Sequence, residues 1–305
     1  VAFSDICALS TPEHNYLETG FWARTRGEEI PVAGKTVWFL RKVVDVTEEV
    51  EAIRSGMMAE GKWGIMGMRR VYKEIEDRYA AQTEHEVSCY SMWGGKMYLM
   101  FYYDVYKDVR LVGTPPVTLG AFGGDHDNWG WPQHKGDFTL YRVYADAEGR
   151  PAEYSAGNVP LKPRRVLRIA TGGVHDGDFA MVIGFPGHTN RYASSFAVAE
   201  KQRVKNPVVV ANRHDRMDIL KRHMERDPKV RMKYSDSYFG LSNYADYAKW
   251  ENKCLCRFDV ESIRKAEEER LQRWIEADSA RRAENGGLLA DLERGYEGRR
   301  AAERS

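Results

Sequence analysis

From about Glu86 to Tyr192 the chain is a series of short runs rich in aromatic and β-branched residues, separated by glycine and proline turns; beyond Tyr192 it becomes charged and helical in pattern. Residues of these types, in runs of this length, suit a pleated, half-buried surface. Glu86 to Met92 and Lys96 to Tyr103 flank Gly94-Gly95, which is a hairpin signal. Further strands are expected at Phe138 to Tyr144, Arg165 to Ile169 and Phe179 to Ile183. Strands joined by such short turns favour an antiparallel sandwich or barrel over βαβ units. Upstream, Thr36 to Leu40 within the run Lys35 to Val46 predicts one more strand. It leads into a helix with Asp45 and Thr47 as candidate caps and Glu48 and Glu49 in its first turn. Ile65, Met68, Tyr72, Ile75 and Tyr79 then recur at helical spacing and read as a core-facing stripe. Gly56, Gly61, Gly64 and Gly67 interrupt this segment, which leaves one helix or two open.

In the helical part, Met217, Leu220 and Met224 mark one apolar face, and Val260, Ile263, Leu271, Trp274 and Ile275 mark another. Asp227-Pro228 and Gly286-Gly287 break the run. The many charges here read as solvated helix faces with i,i+4 pairs. With 305 residues, 43% of them hydrophobic, the chain has material for two domains or one large one with an insertion. A formal net charge of +1 gives no global basic field for nucleic acid, and the apolar runs are too short to span a membrane. Cys7, Cys89, Cys254 and Cys256 show no C-x-x-C spacing, so a structural zinc ribbon is not expected and the thiols read as buried or free.

The densest chemistry lies in Gly123-Gly124-Asp125-His126-Asp127-Asn128-Trp129-Gly130-Trp131-Pro132-Gln133-His134-Lys135-Gly136-Asp137-Phe138, directly before a strand-like run. Two tryptophans among carboxylates, imidazoles and an amide describe a loop that holds a polar ligand against an aromatic wall. Asp125, His126, Asp127 and His134 have metal-ligand types, but they match neither H-E-x-x-H nor EF-hand spacing. No serine sits in a Gly-x-Ser-x-Gly or Gly-x-Ser-Gly setting, so no nucleophile is visible. Asp137, after the flexible Gly136, is placed either to orient a histidine or simply to cap a turn or strand end; spacing alone favours the cap. Gly184 to Tyr192 is a second dense stretch, with Gly-Phe-Pro-Gly marking a tight turn; without a Gly-Lys-Ser/Thr ending it reads as a hinge.

The loop resembles the Gly-Gly-Asp-x-Asp-Asn-Trp-x-Trp-Pro-Arg-His-x-Gly-Asp-Phe signature of the S46 serine peptidases, bacterial dipeptidyl peptidases. Gly184 to Tyr192 is similar to that family's Gly-(Phe/Tyr)-Pro-Gly-x-Thr-x-Arg-Tyr segment. Glu13 to Leu17 with Gly20 to Ala23 is similar to the stretch after its catalytic histidine, and Leu241-Ser242-Asn243-Tyr244 resembles its Leu-x-Asn-Tyr segment. The resemblance implies a mixed β and α fold: a chymotrypsin-like antiparallel β-barrel, here the first of two and partial, over residues 1–192. The beginning of an inserted α-helical cap would follow over 193–305.

It also implies roles. Asp137 matches the triad aspartate; Asn128, Trp129 and Asn243 match residues that bind the free amino terminus of an oligopeptide substrate. No cofactor, metal, nucleic acid or membrane is implied; a homodimeric, periplasmic or secreted whole protein is. The family histidine falls immediately before Val1 and the serine in a later barrel, so the chain is expected to be an internal piece, inactive by itself. Gln133 stands where the family has arginine, Lys135 where it has threonine, and Val1 where many members have cysteine. These departures leave open a catalytically inactive peptide-binding relative; a metal-dependent hydrolase is the remaining alternative.

Overall fold

The computed structural model describes residues 3–125, 128–181, 190 and 192–302. In chain order, α1 (Phe3–Leu9) and α2 (Tyr16–Thr19) precede β1 (Phe21–Trp22), β2 (Ile30–Pro31) and β3 (Val37–Asp45). Next come α3 (Thr47–Ala59), α4 (Gly67–Ala80), β4 (Glu86–Met92), β5 (Met97–Tyr106) and β6 (Asp108–Thr114). The chain continues through α5 (Val117–Gly120), β7 (Leu140–Ala145) and β8 (Val159–Pro160). Its helical end comprises α6 (Ser195–Glu200), α7 (Asn206–Met224), α8 (Pro228–Arg257), α9 (Val260–Glu276), α10 (Ser279–Asn285) and α11 (Leu288–Ala302). By packing, these form two compact units. One holds Phe21–Thr114 and Thr139–Leu167, the other Val1–Gly20, Pro115–Phe138 and Arg168–Ser305.

The strand-rich unit contains two antiparallel sheets, in agreement with the turn pattern. β3, β5 and β4 form one, and the β4–β5 hairpin turns at Gly94 and Gly95, whose φ values of 69° and 91° suit glycine. β5 is buried on both faces. Tyr98, Met100 and Tyr102 join Val46 and Val50 near the start of α3 and Val71 and Ile75 of α4 in one cluster, while Phe101, Tyr103 and Val105 pack on the other side. Alternation of side chains across a strand produces this division. The N-cap position of α3 is Val46, which makes no side-chain cap bond; Asp45, one residue earlier, accepts through Oδ1 from the Thr47 amide at 2.9 Å and from its hydroxyl at 2.6 Å. The interrupted segment is two helices. Ile65 lies between them and is fully exposed, so the stripe begins at Met68. Burial pushes the Cys89 thiol up to about 11, and Glu76 adds to the shift, so this cysteine stays protonated at neutral pH.

The second sheet runs β1-β6-β7-β8, with β2 also on β6. Between its strands lies a polar cluster: the buried Glu29 accepts from Arg142 Nε and the Tyr144 hydroxyl, both at 2.8 Å. Asp108, also buried, accepts from Arg110 Nε at 2.9 Å and Nη2 at 2.8 Å, and from Asn158 Nδ2 at 2.9 Å. Burial alone would raise the Asp108 pKa; the bonds from Arg110 and Asn158 outweigh it and hold the carboxyl below its usual value. A carboxyl depressed in the folded state adds stability above its unfolded pKa of about 3.9 and loses it as pH falls through the lower folded value. Asp108→Ala is expected to destabilise the unit by about 3 kcal/mol at pH 7, because the Arg110 guanidinium is left without its carboxylate. Urea midpoints measured from pH 7 downward should converge with those of the parent below pH 4 or so; a constant gap across that range would rule the linkage out.

The helical unit is organised by caps. Asp227 accepts from the Lys229 amide ahead of Pro228 at the first position of α8, and Asp278 caps α10. Two expectations are corrected. Arg165 to Ile169 forms no strand, nor does Phe179 to Met181, the described part of the run Phe179 to Ile183, whose last two residues lie outside the described residues; Val166, Leu167, Ile169 and Phe179 are exposed. Strand propensity is realised only where a neighbouring strand accepts the ladder, and these runs have none among the described residues. On α9 only Ile275 of the expected face is buried, while Ile263, Leu271 and Trp274 are exposed. Its contact with α6 is partly polar: Glu268 accepts from the Ser195 amide at 2.7 Å and hydroxyl at 2.5 Å.

Candidate functional site

Asn128, Trp129 and Asn243 come together within the helical unit although the helical residue lies more than a hundred positions from the other two. Asn243 Oδ1 accepts from Trp129 Nε1 at 2.7 Å and from Asn128 Nδ2 at 3.2 Å. Lys135 Nζ donates to Asn128 Oδ1 at 3.0 Å. Indole nitrogen and ammonium are donors only, so each must face an amide oxygen, and both side-chain amides are thereby oriented. The result is a small cluster whose oxygens are aimed by donor-only neighbours.

Local backbone and packing set the loop side of this cluster. Trp129 has φ 61°, a left-handed conformation that is costly for a residue with a side chain and persists only where surroundings hold it. Here the indole is bonded to Asn243 and meets the Tyr247 ring edge-on, with centroids 5.1 Å apart. Gly130 is buried, and a Cβ on it would lie 2.8 Å from the Trp250 ring, so the loop approaches α8 where only glycine fits.

α8 contributes Asn243, Tyr247 and Glu251 at four-residue spacing, which puts them on successive turns of one face. Glu251 Oε1 accepts from Lys201 Nζ at 2.5 Å and the Tyr247 hydroxyl at 2.9 Å, and Oε2 accepts from Asn206 Nδ2 at 3.1 Å. Burial works to raise the Glu251 pKa, and its bonds to Lys201, Asn206 and Tyr247 overcome that and lower it. Burial, then the bond to Glu251, push the Tyr247 phenol up. Lys201 opens a π-helical turn, Lys201–Lys205, just ahead of Pro207; proline lacks the N–H that a regular turn needs there. Sequence reasoning missed Tyr247, Glu251 and Lys201; the i,i+4 spacing from Asn243 was the available signal for the first two.

Asp137 is exposed, three residues before β7. The Gly136 amide ahead of it bonds to the Leu119 carbonyl at 3.0 Å, and a Cβ on Gly136 would lie 3.2 Å from Leu119 Cγ. The chain is thus tied down immediately before the carboxylate. Of the four loop residues with metal-ligand types, His126 and Asp127 lie outside the described residues, as do Gly184 to Thr189 and Arg191 of the second motif. Among the described residues no group of three such side chains is placed to hold a metal ion, and no helix is long and apolar enough to cross a membrane. All four cysteines are free.

Comparison with known proteins defines the class first. The model for Peptidase S46 matches residues 1–305, and the chain belongs to that family of peptidases. Dipeptidyl-peptidase 7 of Capnocytophaga gingivalis is 37% identical to it over 295 residues, covering 95% of the chain and 40% of that protein. The Asp/Glu-specific dipeptidyl-peptidase of Porphyromonas gingivalis is 38% identical over 275 residues, covering 88% of the chain and 38% of its own length. The crystal structure of Porphyromonas endodontalis DPP11 with the dipeptide Arg-Asp superposes with a TM-score of 0.86 at 31% identity, covering 98% of this chain and 43% of that one. The chain therefore spans about two fifths of the length of the relatives it matches.

Proposed function

We propose that this chain is part of a serine-type dipeptidyl peptidase that releases dipeptides from the amino termini of oligopeptides. The observation that carries the proposal is the hydrogen-bonded cluster of Asn128, Trp129 and Asn243, assembled from a loop and a distant helix. An ammonium group leaving water needs oxygen acceptors, and side-chain amides supply them without a competing fixed charge. An indole beside them adds packing and cation–π attraction. Anchoring the amine fixes how much of the peptide lies between it and the scissile bond, which makes a dipeptide the unit released.

In this reading Asp137 holds the imidazole of a histidine in its productive tautomer and stabilises the imidazolium during acyl transfer. The histidine and the nucleophilic serine belong to parts of the whole protein outside this sequence. The strand-rich part is the first barrel of a chymotrypsin-like pair, and the helices are the start of the cap. A homodimeric whole protein in the periplasm or outside the cell completes the proposal. The likeness to relatives that are dipeptidyl peptidases in each case supports it.

The test is a cleavage assay with the full-length protein on matched oligopeptides, one with a free and one with an acetylated amino terminus. Dipeptides should accumulate from the first, and the second should survive. Equal cleavage of both would sink the amine-anchoring role.

A further inference from the structure

We infer that Lys135 is a specificity-determining residue of the amine pocket, one whose own ammonium occupies an acceptor that the substrate's amino terminus requires. The inference rests on the amine-binding reading of Asn128, Trp129 and Asn243. It starts from lone pairs. An amide oxygen offers two. Both on Asn243 Oδ1 are taken, by Trp129 Nε1 at 2.7 Å and Asn128 Nδ2 at 3.2 Å. On Asn128 Oδ1 one is taken by Lys135 Nζ at 3.0 Å. Of the four lone pairs on these two oxygens, at most one therefore remains for an incoming ammonium.

Charge makes the competition sharper. A substrate ammonium bonded to Asn128 Oδ1 would share that oxygen with the lysine ammonium, two like charges a few ångströms apart in a half-buried place. Lys135 must swing away, or the substrate binds with a repulsive neighbour. Its long stem permits the first. The lysine thus works as an internal stand-in for the substrate's amine, holding the pocket ordered when empty and setting the threshold for occupancy.

Kinetics of the full-length enzyme on free-amine and acetylated substrates test this with three variants. Lys135→Met keeps the aliphatic stem and removes the charge; it is expected to lower KM for the free-amine substrate roughly tenfold with kcat unchanged, and to leave the acetylated substrate unaffected. Lys135→Arg, which keeps a donor-only cation, should stay within about twofold of the parent. Asn128→Ala should abolish the preference for the free amine. If Lys135→Met leaves KM unchanged or raises it while Asn128→Ala still abolishes the preference, the lysine is a support for Asn128 and this inference is overturned with the pocket intact. If the parent itself shows no preference for the free amine, the pocket assignment fails and the inference fails with it.

Discussion

Replacing Asp137 with asparagine in the full-length enzyme is expected to lower kcat on a dipeptidyl substrate by roughly ten-thousandfold, with stability changed by less than about 0.5 kcal/mol. The size of the first effect and the smallness of the second have the same origin. Asp137 is exposed, and the tether next to it is made by backbone, from the Gly136 amide to the Leu119 carbonyl. Asparagine has the same shape and leaves that tether alone. What it changes is the partner it offers an imidazole: an amide that presents its NH2 favours the wrong tautomer, and no negative charge remains to stabilise an imidazolium. KM should move little, because the carboxylate does not contact the bound peptide in this role. Turnover within threefold of the parent would remove Asp137 from the mechanism. A large loss of stability would return it to the simpler role of capping the turn before β7.

Asn243→Ala is the second large effect. The side chain is exposed, so the helix should tolerate the change, but its oxygen is the acceptor for two donors at once. Without it the Trp129 indole loses its fixed partner, and the left-handed Trp129 backbone is held only by packing on Tyr247 and the close approach of Gly130 to Trp250. We expect kcat/KM on free-amine substrates to fall about a hundredfold, because Asn128 and Trp129 both lose the acceptor that positions them, while acetylated substrates keep whatever slow rate they have. Asn243→Asp keeps the acceptor oxygens and should retain most of the free-amine rate. A parallel loss on both substrate types would mean that the residue supports the fold and not the amine.

These two experiments draw on features of different legibility. The hairpin at Gly94-Gly95, the start of α3 just after Asp45 and the switch to helices after Tyr192 could all be read locally, because turn geometry, helix-start signals and side-chain period depend on a few adjacent residues. The same logic failed at Arg165 to Ile169 and Phe179 to Met181, where β-branched and aromatic residues form no ladder. A strand is a pairwise object, and its partner is not written in its own residues. β6 went unread for a related reason: Asp108 and Arg110 look like solvated charges, whereas in the sheet they neutralise each other in a buried cluster with Asn158.

The candidate site divides in the same way. The motifs nominated Asp137, Asn128, Trp129 and Asn243 as candidates, and they carried the resemblance to the family to which the chain belongs. By itself the sequence determined the chemistry available, including the departures at Gln133 and Lys135. Only the tertiary structure decided that Asn243 reaches Asn128 and Trp129, that Tyr247 packs on Trp129 and bonds to Glu251, and that Lys135 bonds to the Asn128 side-chain oxygen. The physical reason is that hydrogen bonds between residues far apart in the chain depend on where packing brings α8 against the loop. Gly130, which lets the backbone close on Trp250, is where that packing is set.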